Sequence, residues 1–513
     1  MKILQFLWIW GKRIPAKFSV PFLVILFLYL IVLEWLFSFG FGDAVSKSLP
    51  AVLSWLGIAK FIAHFILVQI FWDALVLIVL LLAGVLVAYN TSVWIYRRLR
   101  KKPTVSINDP VAPSPKNGTC LDSFKKIGII LAGGGAKGAY QAGAMKAIHE
   151  FLEEHNALDR VAMIAGTSIG SWNAMFWLSD LVKSSGPGQP SVHEQWWRSI
   201  SISRIIEFDY YLPFRRNYFV RATPWQEMFE QMFINSPAVC KRLSTLTDPS
   251  KNNSLHFYFT RSNVERGRLE FSTNWAGVAN LKRPNLSTSN QNKQEPVVRR
   301  ELYEVIEDTK PQNALKRMKN AVFASMSIPP LFPYMKFKMD MVEWFEDGGV
   351  VDNLPMWFGT QIEECDLLFV LPLNASFAEP VNRRSITKRI FRVMDVRQGM
   401  LERNSFKLAY LYNELAELRK VVEKQGIAKN VETARAMKRE HDPVSIFAIC
   451  AGRPLLINTT EFWKPDEAGK AFDLMYTETK YELQDHFKED TDPHCIRMTV
   501  VSSLGERSQV EDF

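Results

Sequence analysis

Cysteine is scarce in this sequence of 513 residues, and its few copies follow no recognisable pattern. No two cysteines have the C-x-x-C spacing of a metal or redox site, and their number is odd. This argues against a disulfide-stapled secreted fold and favours reduced thiols in a reducing compartment. The five cysteines are Cys120, Cys240, Cys365, Cys450 and Cys495.

The sequence also lacks the motifs by which most proteins recognise nucleic acids. It contains no helix-turn-helix pattern, no zinc-finger spacing and no stacked-aromatic RNA motif. The formal net charge of +9 suits either nucleic acid or an anionic membrane surface. Because the nucleic-acid motifs are missing, we expect a membrane as the partner, no nucleic acid and no metal site. The sequence says nothing about oligomeric state.

Two long apolar runs stand near the N-terminus, at about 21–40 and 66–89. Each is long enough to cross a bilayer as a helix. Lys and Arg flank the pair on both outer sides, so the positive-inside rule keeps both flanks in the cytoplasm and makes the spans a hairpin. A third, weaker span at 51–72 is an alternative that would reverse the topology. The pattern predicts an integral membrane protein with its soluble part on the cytoplasmic side.

A polar stretch with four prolines, residues 103–123, separates this membrane anchor, residues 1–102, from the soluble part. The soluble part opens with an α/β pattern. Lys126 to Ala132 is a short apolar run typical of a buried parallel strand, and Arg160 to Ala165 is a second one. Between them, a glycine turn leads into a segment, 139–155, that is helical by its period.

The strongest local motif is G-T-S-I-G at 166–170, which follows a predicted strand and precedes a predicted helix. A turn this tight holds its middle residue in a strained conformation, with small neighbours leaving room for it. Ser168 would then project at the top of the sheet, beside a helix N-terminus that stabilises negative charge. The alternative interpretation is a purely structural turn.

A glycine-rich turn, Gly133 to Gly138, lies between the first strand and the first helix. Its backbone N–H groups can point into one concavity, which for acyl transfer is an oxyanion hole. The same residues match G-x-G-x-x-G, so a dinucleotide site is a rival. That rival needs an acidic residue at the end of the second strand, where the sequence instead has Ala165 and Gly166.

A third motif, D-G-G-V-V-D-N-L-P, begins at Asp347. An Asp that opens a glycine turn can act directly on a serine as its base. Taken alone, an ordinary Asp-Gly turn would explain it equally well. No His stands in a similar motif, and His193 and His256 are only outside candidates for a triad.

Together, four motifs in order resemble the patatin-like phospholipase family. G-G-G-A-K-G-A-Y-Q-A-G at 133–143 is similar to the family's oxyanion loop, and 166–170 to its nucleophile turn. The run at 324–333 resembles its small-residue and proline segment, and 347–355 its aspartate motif. The resemblance covers roughly 125–375.

This resemblance implies an α/β fold, a three-layer sandwich with a mostly parallel central sheet, here preceded by the N-terminal transmembrane helical hairpin. The catalytic domain would span 124–375, and residues 376–513 would form a helical extension packed on it. The aromatic-rich stretch at 193–245 is either core or a lid that dips into lipid.

The resemblance also implies a set of site residues. Ser168 and Asp347 would form a catalytic dyad without His. Lys137 stands where the family's loop more often has Arg, and we expect it to contact the substrate headgroup. Ser171 replaces a common Gly or Ala and should be harmless. The residues framing the oxyanion hole would be Gly133, Gly134, Gly135 and Gly138.

Members of this family hydrolyse acyl esters of phospholipids, lysophospholipids or neutral glycerides and need no cofactor. The resemblance therefore implies a lipid acyl hydrolase that works through an acyl-enzyme, with membrane lipid as substrate. Two alternatives stay open. One is an acyltransferase on the same dyad, and the other is a non-catalytic membrane module that binds lipid or nucleotide through the glycine loop.

Overall fold

A computed structural model describes residues 120–509, together with residues 84, 85, 88 and 91. The chain divides into two compact units, and nearly all described residues belong to the second, Thr104–Asp209 with Pro213–Phe513. The gaps within the described range are 185, 187–188, 209–217, 252, 285–293, 339–341, 375–385, 425–442, 453, 489–495 and 505–506.

The predicted membrane hairpin falls almost wholly outside this part of the chain. Of the spans at about 21–40 and 66–89, only residues 84, 85 and 88 are described, and they are helical. In the described residues, no helix is long and apolar enough to span a bilayer. The hairpin therefore stays a prediction.

One large sheet organises the described residues. Its central strands are short, apolar and buried on both faces, as expected for parallel strands covered by helices. The strands along the chain are β1 Ile127–Leu131, β2 Val161–Gly166, β3 Glu207–Phe208, β4 Val220–Arg221, β5 His256–Asn263, β6 Arg268–Thr273, β7 Lys282–Pro284, β8 Gln294–Pro296, β9 Tyr303–Val305, β10 Met335–Lys338, β11 Val342–Asp347, β12 Leu367–Leu371, β13 Ser445–Ala451, β14 Ile496–Val501 and β15 Arg507–Gln509.

Within the described range, eleven strands form the sheet, in the order β10-β11-β5-β2-β1-β12-β13-β14-β15. The six strands from β5 to β14 run parallel to one another. Antiparallel pairs close the edges, with β10 and β11 beyond β5 and β15 beyond β14. Strand β6 also pairs with β5, and β9 with β6. This confirms the predicted α/β fold with a mostly parallel central sheet.

The helices connect these strands and cover the sheet. Helix α1 lies along α9, α2 lies against β2, and α7 lies against β5. The helices are α1 Gly138–Glu154, α2 Ile169–Leu178, α3 Val192–Arg198, α4 Ile202–Ile205, α5 Thr223–Phe229, α6 Pro237–Leu246, α7 Pro311–Ser325, α8 Ile386–Lys424 and α9 Pro465–His486.

The segment 376–513 is more than the helical extension that the sequence predicts. Besides α8 and α9 it supplies three strands, and two of them extend the parallel sheet beyond β12. All seven residues of β13 are buried. Pairing with β12, a distant strand, places β13 in the sheet.

Candidate active site

Ser168 stands at the turn between β2 and α2, in a backbone conformation that few side chains adopt. Its φ is 54° and its ψ is −124°, which is the strained turn that the sequence predicts. Gly166 and Gly170 flank Ser168, and both must be glycine because neighbouring backbone atoms lie too close for a Cβ. A Cβ on Gly166 would lie 2.6 Å from the backbone of Gly170, and one on Gly170 would lie 2.3 Å from the Leu131 carbonyl.

Two further serines hold this turn. The Ser168 N–H donates to the hydroxyl of Ser325 over 2.8 Å. The Ser171 hydroxyl lies 2.8 Å from the Gly166 carbonyl and 2.9 Å from the Ser325 hydroxyl. Ser171, which the sequence suggested was merely harmless, thus ties the turn to the end of α7. The Ser168 side chain itself is buried, at 3% exposure.

Asp347 ends β11 at the carboxyl ends of the parallel strands, where Ser168 also lies. Gly166 pairs with Phe259 of β5, and Asp347 pairs with Arg261 two residues further along β5. The register therefore brings Asp347 level with Ser168. One carboxylate oxygen of Asp347 accepts the Gly349 N–H at 2.7 Å, so the glycine turn fixes the carboxylate.

Burial controls the protonation of Asp347. It raises the pKa of this carboxyl to about 7, although hydrogen bonding from the Ser168 hydroxyl and the Gly349 N–H acts to lower the pKa. The other oxygen, Oδ2, is buried and makes no fully formed hydrogen bond to any described residue. The Ser168 hydroxyl is near enough to lower the pKa of Asp347, and such contacts commonly tighten only when substrate binds.

The glycine-rich loop after β1 runs directly beside Ser168. A Cβ on Gly133 would lie 2.9 Å from the Ser168 Cβ, so only glycine allows this approach. Gly135 has a φ of +58°, which favours glycine. Among the described residues, the backbone N–H groups of Gly133 and Gly134 have no acceptor. The loop therefore offers two free donors next to the serine.

Gly138, the fourth predicted oxyanion residue, serves a different purpose in the structure. Its N–H donates to carbonyls within the preceding turn, those of Ala136 and Gly135. A Cβ at this position would lie 2.6 Å from Ile169 and 2.8 Å from Trp197. Gly138 therefore lets α1 pack closely against the start of α2.

Lys137, for which we expect a contact with the substrate headgroup, lies in the interior of the domain. Its side chain is 1% exposed. Its ammonium donates to Asn374 and forms an ion pair with Asp395 at 3.3 Å. A buried cation needs such partners, and both are supplied by residues beyond 358 in the chain. Lys137 thus joins the glycine loop to the C-terminal segment.

Asn353 and Glu402 are site residues that the sequence analysis did not single out. The Asn353 side-chain amide donates to the Gly133 carbonyl at 3.1 Å and to Glu402 at 2.6 Å. Glu402, on α8, is 2% exposed and also accepts from Asn374. Asn353 lies within the aspartate motif, which was an available signal. Nothing local marks Glu402.

The two histidines considered for a triad have other partners. His193 bonds to Asn173 at 3.0 Å, and burial lowers the pKa of its ring to about 3. His256 bonds to Glu363 at 2.6 Å. His256 begins β5, at the opposite end of the parallel strands from Ser168. In the described part of the chain, no group of three or more His, Cys, Asp or Glu could bind a metal ion.

The described aromatic residues of 193–245 are mostly core. They surround Trp172 of α2, whose ring is fully buried. This favours the core interpretation over a lid for the described residues, while 209–217 lie outside them. The rings that contact Trp172 from this stretch are Trp196, Trp225, Phe229 and Phe233.

A pocket lies beside Asp347 and extends into this apolar region. It has about 310 Å³ of empty space, a figure that includes open solvent. Ser327, one of its lining residues, accepts the Asp347 N–H through its carbonyl at 3.0 Å. The other walls are mainly apolar, with Trp225, Phe323 and Phe332 among them. The pocket could therefore hold a small apolar group near the backbone of Asp347.

Comparison with known proteins places this site in a family. Residues 129–358 match the family model described as patatin-like phospholipase. The segment contains Ser168, Asp347 and the glycine loop, and it confirms the resemblance seen in the sequence. The chain carries a patatin-like phospholipase domain, which supports lipid acyl hydrolase activity in general terms. No curated protein matches the chain.

Two solved structures are similar to the chain at low identity. The crystal structure of VipD from Legionella pneumophila has 15% identity and a TM-score of 0.31, over 76% of this chain and 72% of that one. The ExoU–SpcU complex from the type III secretion system of Pseudomonas aeruginosa has 13% identity and a TM-score of 0.16, over 76% and 81%. At these TM-scores the two likenesses carry no argument.

Proposed function

We propose that this protein hydrolyses carboxylic esters of membrane lipids, with Ser168 as nucleophile and Asp347 as base. One observation carries the proposal. The strained serine, the buried carboxylate, and the N–H groups of Gly133 and Gly134 that no described residue accepts lie together at the carboxyl ends of the parallel strands. A base with a pKa near 7 is suited to proton transfer at neutral pH.

The reaction proceeds by double displacement. Asp347 takes the proton of the Ser168 hydroxyl as the oxygen attacks the ester carbonyl, and the Gly133 and Gly134 N–H groups hold the oxyanion. Asp347 then gives that proton to the departing alcohol, leaving the acyl group on Ser168. Water, deprotonated by Asp347, attacks the acyl-enzyme carbonyl, and Asp347 returns the proton to the Ser168 oxygen as the fatty acid leaves.

The pocket beside Asp347 suits the acyl chain of such a substrate. Its aromatic walls favour an apolar ligand, and Ser327 in its wall bonds to the backbone of Asp347. We therefore place the acyl chain against Trp225 and Phe323, with the ester at the turn. Phospholipase A and lysophospholipase activities both fit this arrangement.

The membrane hairpin belongs to the same proposal. Spans at about 21–40 and 66–89 would anchor the chain and leave the catalytic domain on the cytoplasmic side. Tethering raises the effective concentration of lipid at the site. A protease added outside sealed vesicles should cut the catalytic domain only in vesicles whose cytoplasmic face points outward.

Product analysis tests the reaction. The full chain is incubated with phospholipid vesicles, and free fatty acid, lysolipid and acyl-transfer products are measured by mass spectrometry. Ser168→Ala should abolish all products. Ser179→Ala is the matched control. Ser179 is a buried serine directly after α2, and its hydroxyl donates to the carbonyls of Met175 and Phe176 in that helix.

The outcomes separate the candidates. Free fatty acid formed by wild type and Ser179→Ala, but not by Ser168→Ala, supports the hydrolase. Acylated acceptor lipid without free fatty acid identifies an acyltransferase on the same serine. Equal products from wild type and Ser168→Ala would contradict the assignment of the nucleophile.

A further inference from the structure

Helix α8 carries an apolar stripe that faces solvent. Four leucines follow one another at three- and four-residue intervals, and each is about half exposed, from 49% to 56%. Because a helix turns once every 3.6 residues, they line one face. A contiguous exposed apolar surface of this kind usually marks an interaction site. The stripe consists of Val393, Met400, Leu408, Leu411, Leu415 and Leu418.

The opposite face of the same helix holds the active-site loops. Glu402 bonds to Asn353, and Asp395 pairs with Lys137. Phe406 and Ala409 are buried on this inner side. The helix thus has an inner face fixed to the catalytic machinery and an outer face that is apolar. Whatever binds the outer face lies one helix diameter from the site.

Charge indicates what binds there. Between 409 and 418 the exposed charged side chains are Glu414 and Glu417, whereas those between 389 and 408 are all basic, namely Arg389, Arg397, Arg403 and Lys407. The two carboxylates of that stretch, Asp395 and Glu402, are turned toward the site instead. An apolar stripe whose N-terminal half is bordered by cations matches the surface of a bilayer with anionic headgroups. Parallel pairing with a second copy would bring these cations close to one another.

We propose that the outer face of α8 docks the catalytic domain onto an anionic lipid bilayer. Leucine side chains enter the interface, and the basic side chains contact the headgroups. This deepens the proposed function, because docking fixes the distance from the site to the lipid, yet docking can be measured without catalysis. A membrane anchor alone would leave the domain free to turn away from the surface.

The test uses the full chain in lipid nanodiscs of phosphatidylcholine, with or without phosphatidylglycerol. Backbone hydrogen exchange of peptides covering 400–418 reports docking. In parallel, hydrolysis of the nanodisc lipid is compared with hydrolysis of a water-soluble short-chain ester. Wild type is compared with Leu411→Glu/Leu415→Glu and with Lys470→Glu. The last variant changes the net charge equally, at an exposed position on α9.

We expect exchange in 400–418 to slow by about tenfold in anionic nanodiscs only. The double variant should lose this protection and most lipid hydrolysis, while its short-chain ester rate and melting temperature stay near wild type. Lys470→Glu should behave as wild type. If protection persists without any ester hydrolysis in wild type, docking stands and the proposed function fails.

Three results would overturn docking. The first is equal exchange in the two lipids. The second is full lipid hydrolysis by the double variant in anionic nanodiscs. The third is a wild-type dimer in detergent that the double variant converts to a monomer, since the occupant of the stripe would then be a second copy.

Discussion

At the residue scale, Asp347 destabilises the fold in the ionised form that the reaction needs. Its pKa rises from 3.8 unfolded to about 7 folded because the carboxyl is buried. Between these values the folded state holds a proton that the unfolded state releases. Stability therefore falls as pH rises through this window, and the cost is complete above pH 7.

Asp347→Asn should remove this cost. We expect the variant to be inactive yet more stable than wild type above pH 7, by up to about 4 kcal/mol, and little different below about pH 4. Denaturant unfolding at several pH values measures this. Ser168→Ala is the control, because it keeps the carboxyl and should keep the loss of stability with pH. A less stable Asp347→Asn at pH 8 would refute the argument.

Gly133 controls how closely the loop approaches the nucleophile. In Gly133→Ala the new methyl group would meet Asn353 Oδ1 at 2.6 Å and Ser168 Cβ at 2.9 Å. The loop must shift, so kcat should fall by on the order of 100-fold. Gly186→Ala is the matched control, with no neighbour closer than 3.9 Å. Steady-state kinetics on a short-chain ester that showed unchanged kcat would place the oxyanion donors elsewhere.

At the element scale, α8 completes the site although it lies outside the matched segment 129–358. Glu402 accepts hydrogen bonds from Asn353 and Asn374, so every partner is a donor. Asn353 in turn holds the Gly133 carbonyl. The helix therefore acts on the reaction through the position of the glycine loop.

Glu402→Gln should expose this dependence. The new amide would face donors, so at least one hydrogen bond is lost and the loop loosens. We expect kcat to fall by about tenfold or more with little change in KM. Glu417→Gln, exposed on the same helix, should leave both unchanged. Equal kinetics for the two variants would show that α8 does not contribute to the reaction.

Patterns of neighbouring residues predict the first strands and the serine turn, whereas contacts between residues far apart in the chain are not predicted. Strands β1 and β2 and the turn at Ser168 are encoded by neighbouring residues, so the sequence predicts them. The sequence predicts that Lys137 contacts a substrate headgroup, but it does not predict the bond to Asn374, which lies 237 residues away. Asn353 contacts Gly133 across 220 residues. Such pairings leave no trace in a local window, and for the same reason the sheet extension by β14 and β15 was missed.

At the scale of the whole molecule, the candidate site is assembled from strands that lie near one another in the sheet but far apart in the chain. Ser168 follows β2, the glycine loop follows β1, and Asp347 ends the antiparallel strand β11, which lies between β10 and β5. Glu402 of α8 then fixes the glycine loop through Asn353. Removal of residues 376–513 would therefore disturb a site whose motifs all lie before residue 376.

The most direct measurement of the central claim is labelling of the full chain by a fluorophosphonate ester, with the modified peptide identified by mass spectrometry. The account predicts a single adduct on Ser168 in wild type, no adduct there in Ser168→Ala, and labelling slowed by on the order of 100-fold or more in Asp347→Asn. Labelling of wild type at another serine, or of Asp347→Asn at the wild-type rate, would contradict it.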